Sequence, residues 1–124
     1  MLFEVTDVDR QVYEQEIRAF LPDKMIDIHT HVWLDRLQAH AQEAFARVVQ
    51  WPALVAKDNA IEDLLETYRL MFPDKQVTPL IFSLIRPGDD FEGLNRYVRE
   101  SAQKYQVPAN LFLEIGRLIH MKLL

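Results

Sequence analysis

The chain contains no cysteine, only three glycines and no long run of apolar residues. The absence of cysteine excludes disulfides, cysteine-based zinc sites, iron–sulfur clusters and cysteine nucleophiles. Gly88, Gly93 and Gly116 form neither a glycine-rich phosphate loop nor a Gly-x-Ser-x-Gly element, which disfavours a serine hydrolase of that type. No apolar stretch approaches the roughly 20 residues of a membrane helix, so we expect no membrane association.

The charge balance is mildly acidic, with 14 Lys+Arg against 19 Asp+Glu and a net charge of -5. A surface of this sign disfavours nonspecific binding to nucleic acid. With 124 residues, of which 49% are hydrophobic, the chain has the size and composition of one globular domain. The first residues lack the basic-then-apolar pattern of a signal peptide, so the default expectation is a cytoplasmic protein.

Hydrophobic periodicity predicts helices that alternate with strands. Alternating or near-continuous apolar sequence predicts three strands, at residues 24–31, 77–85 and 111–115. Helical spacing predicts four helices, at residues 6–22, at 34–50, from an Asn59 cap to Phe72, and from an Asp90 cap to Tyr105. In the first helix, Thr6 and Asp9 resemble a capping box, and the apolar face is expected to pack on a larger body; this face comprises Val8, Val12, Ile17 and Phe20.

This order of elements is typical of βαβ units with a parallel sheet. The predicted fold class is therefore α/β, with about three parallel strands and flanking helices. Residues 1–22 are assigned to an N-terminal amphipathic helix and residues 23–124 to the α/β domain.

The sharpest chemical feature is the pair His29 and His31 at the end of the first strand. Strict alternation would place both rings on one face together with Asp27, and Ile26, Ile28 and Thr30 on the other. Two such imidazoles can converge on one divalent metal, with zinc the expected ion. Asp27 would then orient a ligand as a supporting carboxylate. The alternative is a strand end with ordinary hydrogen bonds.

Residues 25–31 (Met-Ile-Asp-Ile-His-Thr-His) resemble the first-strand signature of the amidohydrolase superfamily. Residues 59–97 resemble its branch of amidohydrolase-related metal-dependent hydrolases, and the resemblance covers roughly residues 23–113. It implies a (β/α)8 barrel with one or two metals at the carboxyl ends of the strands. His29 and His31 match the first-strand metal ligands. The family also uses later histidines, a late aspartate and, in many members, a lysine or glutamate of the fourth strand.

A (β/α)8 barrel typically needs about 250 residues, so residues 23–124 correspond to its N-terminal part only. Residues 116–124 do not follow the pattern expected after a third strand. A truncated or frame-shifted reading frame would produce such a tail, and a short C-terminal helix or strand that docks on the core is the alternative. His40 and His120 do not lie where the family places its ligands.

Other candidates carry weaker signals. Trp33 either lines a substrate pocket at the barrel mouth or belongs to the core. Arg86 follows the second strand, where barrel enzymes place functional residues, and would bind a substrate carboxylate or lie in a solvated loop. Helix capping explains the pair Asp89 and Asp90.

Two function hypotheses follow. The first is a metal-dependent hydrolase in which metal-bound water attacks an ester, lactone or amide carbon of a small molecule. A nonoxidative decarboxylase of the same fold is its variant. The second is a non-catalytic relic or binding module. Because three strands cannot close a barrel, the chain by itself is expected to be inactive and to self-associate, or to need a missing C-terminal portion.

Overall fold

A computed structural model of the chain describes residues 3–39, 56–115 and 118–123, with residues 114–115 and 118–123 described as backbone only. Helices and strands alternate along most of this part of the chain, as periodicity predicts. The elements are α1 (Asp7–Val12), a π-helical turn (Tyr13–Ile17), β1 (Lys24–His31), a 3-10 turn (Asp35–Leu37), α2 (Ile61–Met71), β2 (Gln76–Phe82), α3 (Phe91–Tyr105), β3 (Asn110–Ile115) and β4 (Leu118–Leu123).

The strands β1 and β2 pair in parallel, and their register runs from Lys24 opposite Gln76 to His31 opposite Phe82. The connection between them contains α2, as a parallel pair requires. The predictions of β1 and of a parallel α/β arrangement are confirmed. β2 ends at Phe82, three residues before the predicted end of the second strand.

The third strand joins this pair only through a single parallel bridge, between Ile81 and Ala109. Past this bridge, the backbone of Phe112 is bound by the side chain of Asn95 in α3. Its amide nitrogen donates to the Phe112 carbonyl at 2.7 Å, and its oxygen accepts from the Phe112 N–H at 3.0 Å. Over its whole length β3 pairs with β4, from Asn110 opposite Leu123 to Ile115 opposite Leu118, and that pairing is antiparallel. The described strands thus form two two-stranded sheets, and the predicted sheet of three parallel strands is only partly present.

The core lies between the strands and the helices α2 and α3. One cluster of fully buried side chains comprises Val32, Ile61, Ile81, Val98 and Ala109. A second cluster comprises Trp33, Leu37 and Leu94. The helical spacing of residues 90–105 also predicts a buried face, which comprises Leu94, Tyr97, Val98, Ala102 and Tyr105. This face is confirmed, since Leu94 and Val98 are inaccessible and the other three residues pack against the first cluster.

Two predicted helix starts are wrong. α2 begins after Ala60, and Asn59 does not cap it, because Asn59 donates from its side-chain amide to the His31 carbonyl at 2.6 Å. The helix predicted at residues 34–50 starts instead with a short 3-10 turn, after which Gln38 is extended. The rest of that prediction, including His40, lies outside the described residues.

The N-terminal helical segment contacts the rest of the described chain through Tyr13 and Arg18, and two of the four residues of its predicted apolar face are largely exposed. Thr6 and Asp9 form the predicted capping box. Val8 and Phe20, however, are largely exposed. Tyr13 is buried instead, and its hydroxyl donates to Asp74, which also accepts from Arg18 at 2.9 Å. None of the helices in the described ranges combines the length and apolar character needed to cross a bilayer.

Candidate metal centre

The strand β1 contains a β-bulge directly before its carboxyl end. Asp27 pairs with Pro79 and Thr30 pairs with Ile81, so Ile28 and His29 lie opposite the single residue Leu80. A bulge of this kind places two residues against one and leaves a backbone group outside the ladder. The bulge therefore changes which side chains share a face.

Paired residues of neighbouring strands point to the same side of a sheet. Asp27 and Thr30 consequently share the face covered by α2, and the hydroxyl of Tyr68 contacts the side chains of both. His31 shares the opposite face with Phe82. The prediction that Asp27 lies on the same face as the two histidines is therefore wrong, because strict alternation does not allow for the extra residue of the bulge.

The apolar side chains of β1 also differ from the prediction. Thr30 is buried, whereas Ile26 and Ile28 are 71% and 72% exposed. The packed face expected for these three residues is therefore absent in the described part of the chain.

The two histidines converge at the carboxyl end of β1. Their Nε2 atoms lie 3.2 Å apart. The ring of Phe82 supports both imidazoles, with centroid distances of 5.1 Å to His29 and 4.4 Å to His31. This platform holds both Nε2 atoms on one side of the sheet.

The tautomer of His31 follows from its partner. Its Nδ1 lies 3.3 Å from the carbonyl oxygen of Ser83, just past β2. Because a carbonyl only accepts, Nδ1 carries the hydrogen and Nε2 of the neutral ring presents a lone pair. Without a metal, His29 satisfies this lone pair by donating from its own Nε2.

The pair fits two ligand positions of a zinc ion. Zn–N bonds of about 2.0–2.1 Å at a tetrahedral angle separate two ligand nitrogens by about 3.3–3.4 Å. The observed separation of 3.2 Å lies close to this value. A backbone carbonyl on the distal ring nitrogen is the usual support of a metal-binding histidine. Among the described residues, no group of three or more potential ligands is assembled.

The electrostatics of His31 favour the form that binds metal. Burial lowers its pKa below the ordinary histidine value, and the neighbouring His29 lowers it further, against the raising effect of the Ser83 carbonyl. The neutral ring is the ligand form, so this shift favours the binding-competent state at neutral pH.

Asp27 supports the backbone rather than an imidazole. Its Oδ1 accepts from the backbone N–H of His29 at 3.1 Å, and its Oδ2 accepts from the Tyr68 hydroxyl at 2.9 Å. Burial, followed by the bond to Asp27, raises the pKa of Tyr68, so its hydroxyl remains a donor. The supporting role predicted for Asp27 thus takes a different physical form.

The two predicted substrate-binding residues lie elsewhere. Trp33 is only 8% exposed, packs with Leu37 and Leu94, and donates from its indole to the Lys57 carbonyl at 2.9 Å. It therefore belongs to the core, as one of its two interpretations holds.

Arg86 is held in the turn after β2. Its backbone N–H donates to Asp89 at 2.8 Å, and its guanidinium Nε lies 3.7 Å from the same carboxylate. Asp89 is fully buried and also accepts from Ala39. Asp90 caps α3 as predicted. Capping therefore explains Asp90, whereas Asp89 stabilises the turn by accepting a hydrogen bond from its backbone.

Sequence reasoning missed Tyr68 and Ser83 as supports of the pair. The helical spacing of Tyr68 gave only a place on the apolar stripe of α2. Ser83 acts through its carbonyl, which leaves no signal in the side-chain pattern; its own hydroxyl is buried with no hydrogen-bond partner among the described residues.

No protein-family model, curated protein or solved structure matches this chain.

Proposed function

We propose that this chain is the N-terminal part of a metal-dependent hydrolase of the amidohydrolase type, in which His29 and His31 hold a divalent metal, with zinc the expected ion. The observation that carries the proposal is the 3.2 Å separation of the two Nε2 atoms, with Nδ1 of His31 directed to a backbone carbonyl. The parallel pairing of β1 and β2 around α2 supports assignment to the start of a (β/α)8 barrel.

The chemistry expected at this site is water attack on an ester, lactone or amide carbon of a small molecule. When bound, the metal lowers the pKa of its water and polarises the substrate carbonyl. In this chain, the Ser83 carbonyl fixes the His31 tautomer and Phe82 supports both rings. Asp27 faces α2 and is engaged by Tyr68, so we do not assign it as the general base.

The proposal is tested by titrating the metal-free chain with Co²⁺ and Zn²⁺, followed by cobalt absorption and calorimetry. We expect binding of one ion per chain. The affinity is expected to fall at least tenfold in His29→Ala and in His31→Ala, because these two imidazoles are the ligands that the described residues provide. His40→Ala is the matched control and is expected to bind like the unaltered chain.

Equal binding by the double variant His29→Ala/His31→Ala would contradict the proposal, as would a loss confined to His40→Ala. The same samples are assayed with ester, lactone and amide substrates. No turnover is expected from the chain alone, since two ligands without a base do not complete the site. Robust metal-dependent hydrolysis that disappears in His29→Ala would show that the site is complete.

We also propose that the chain self-associates through β1. Of the described strands, only β2 pairs with β1, and the exposed Ile26 and Ile28 lie along it. An unpaired strand edge beside apolar side chains favours pairing with another chain.

Sedimentation velocity is expected to show oligomers that grow with protein concentration and diminish in Ile26→Lys/Ile28→Lys. Val8→Lys, a change of an equally exposed apolar residue in α1, serves as the control and is expected to leave association unchanged. A single monomer peak for the unaltered chain at all concentrations would contradict this expectation.

A further inference from the structure

The bulge in β1 leaves the backbone N–H of His29 outside the β1–β2 ladder. A backbone N–H outside the ladder bonds either to water or to a side chain, and a side-chain acceptor fixes the local conformation of a bulge. Here Oδ1 of Asp27, two residues earlier, accepts from this N–H at 3.1 Å. The side chain of Asp27 thus substitutes for the missing ladder bond.

The other oxygen of the same carboxylate is fixed from α2. The Tyr68 hydroxyl donates to Oδ2 at 2.9 Å and also interacts with the Thr30 side chain. Asp27 and Thr30 flank the bulge on either side. Tyr68 of α2 therefore contacts β1 both before and after the extra residue of the bulge.

The bulge decides the face on which the histidines lie. If the first half of β1 continued in regular alternation, His29 and His31 would lie on the α2 face with Asp27. The inserted residue reverses this, and both rings instead lie against Phe82 on the opposite face. The face on which the two Nε2 atoms converge, against Phe82 rather than against α2, therefore depends on the bulge.

We propose that Asp27 and Tyr68 are positioning residues for the histidine pair: they hold the β-bulge that directs His29 and His31 to the face of Phe82. The consequence for metal binding rests on the proposed function, whereas the consequence for the geometry of the metal-free pair does not. Neither residue is assigned contact with metal or substrate.

The test compares Asp27→Ala, Asp27→Asn and Tyr68→Phe in the full chain. Asn keeps an oxygen that accepts from the His29 N–H, so Asp27→Asn is the conservative rescue. Tyr68→Phe removes only the hydroxyl, and with it the bond to Oδ2 and the interaction with Thr30. Tyr105→Phe is the matched control. Tyr105, at the end of α3, donates to Glu62 in the first turn of α2 at 2.6 Å, a similar tyrosine–carboxylate pair that does not involve the bulge.

Two readouts are measured, and the first needs no metal. Hydrogen exchange at the His29 amide is expected to accelerate at least tenfold in Asp27→Ala and less in Tyr68→Phe, and to stay near the unaltered rate in Asp27→Asn and Tyr105→Phe. Cobalt affinity is expected to fall about 10- to 100-fold in Asp27→Ala, with most of it restored in Asp27→Asn.

Each outcome decides the proposal. Amide exchange within twofold of the unaltered chain in Asp27→Ala overturns it, and so does an Asp27→Asn variant that behaves like Asp27→Ala. If Asp27→Ala fails to fold, Tyr68→Phe decides through the same exchange measurement. If the unaltered chain binds no metal, the proposed function fails, and accelerated exchange at His29 in Asp27→Ala still supports the positioning role.

Discussion

Replacing Ile81 with alanine is expected to lower the free energy of unfolding by about 2–5 kcal/mol. Ile81 is inaccessible to solvent and lies in the cluster where β2 meets α2 and α3. Removing its side chain loses buried apolar surface and leaves a cavity that the surrounding side chains fill only in part. Urea denaturation followed by circular dichroism measures the change.

Ile26→Ala is the control for this substitution. The residue type is the same and Ile26 lies in the partner strand, but its side chain is largely exposed. We expect a change within about 0.5 kcal/mol. If Ile81→Ala does not fold, Ile81→Val, with an expected cost of about 0.5–1.5 kcal/mol, gives the same ordering. Equal effects at Ile81 and Ile26 would contradict the described core.

Acidification is expected to release the metal steeply. Each imidazole must be neutral to bind, so proton competition lowers the affinity by up to about tenfold per pH unit for each imidazole ligand, and by up to about 100-fold for two. Burial lowers the pKa of His31 below its ordinary value of 6.5. Protons therefore compete with the metal for this ring only at a correspondingly lower pH. Zinc titrations at pH 7.5, 6.5 and 5.5 measure the dependence.

The same shift affects stability with a definite sign. As the pH falls through 6.5, the unfolded chain protonates His31 before the folded chain does, so the free energy of unfolding decreases. In His31→Ala this contribution to the free energy of unfolding disappears. The pH dependence of the zinc affinity also becomes shallower, at most about tenfold per pH unit, because one imidazole remains. A pH-independent affinity would contradict ligation by histidine.

The elements that periodicity predicted are those whose residues interact mainly within one helix or strand. The capping box of Thr6 and Asp9, the buried face of α3 and its Asp90 cap are confirmed, because local spacing determines each of them. The parallel pairing of β1 and β2 is also confirmed, since an intervening helix leaves few other connections.

The wrong predictions involve contacts between distant parts of the chain. The bulge at Ile28 and His29 depends on register against β2 and on Tyr68, which no count along β1 reveals. Asn59 looked like a helix cap, but the end of β1 uses its amide. Asn95 likewise ends the pairing of β2 with β3, although nothing in its own helix marks it.

For the candidate site, the sequence identified His29 and His31 but not their supports. Residue type and spacing are enough to nominate two imidazoles at a strand end. Fixing a tautomer requires the Ser83 carbonyl, a backbone group that every residue possesses. Trp33 shows the converse, since its position after the histidines suggested a pocket and its burial assigns it to the core.

The groups that shape the histidine pair all belong to one βαβ unit. The bulge and both rings lie in β1, Tyr68 lies in α2, and Phe82 and Ser83 lie at the end of β2. The pair is therefore a modular feature, whose geometry is encoded between Asp27 and Ser83. Grafting this unit into a host sheet would transfer a preorganised pair of nitrogens, and the host would supply the remaining ligands and determine the chemistry.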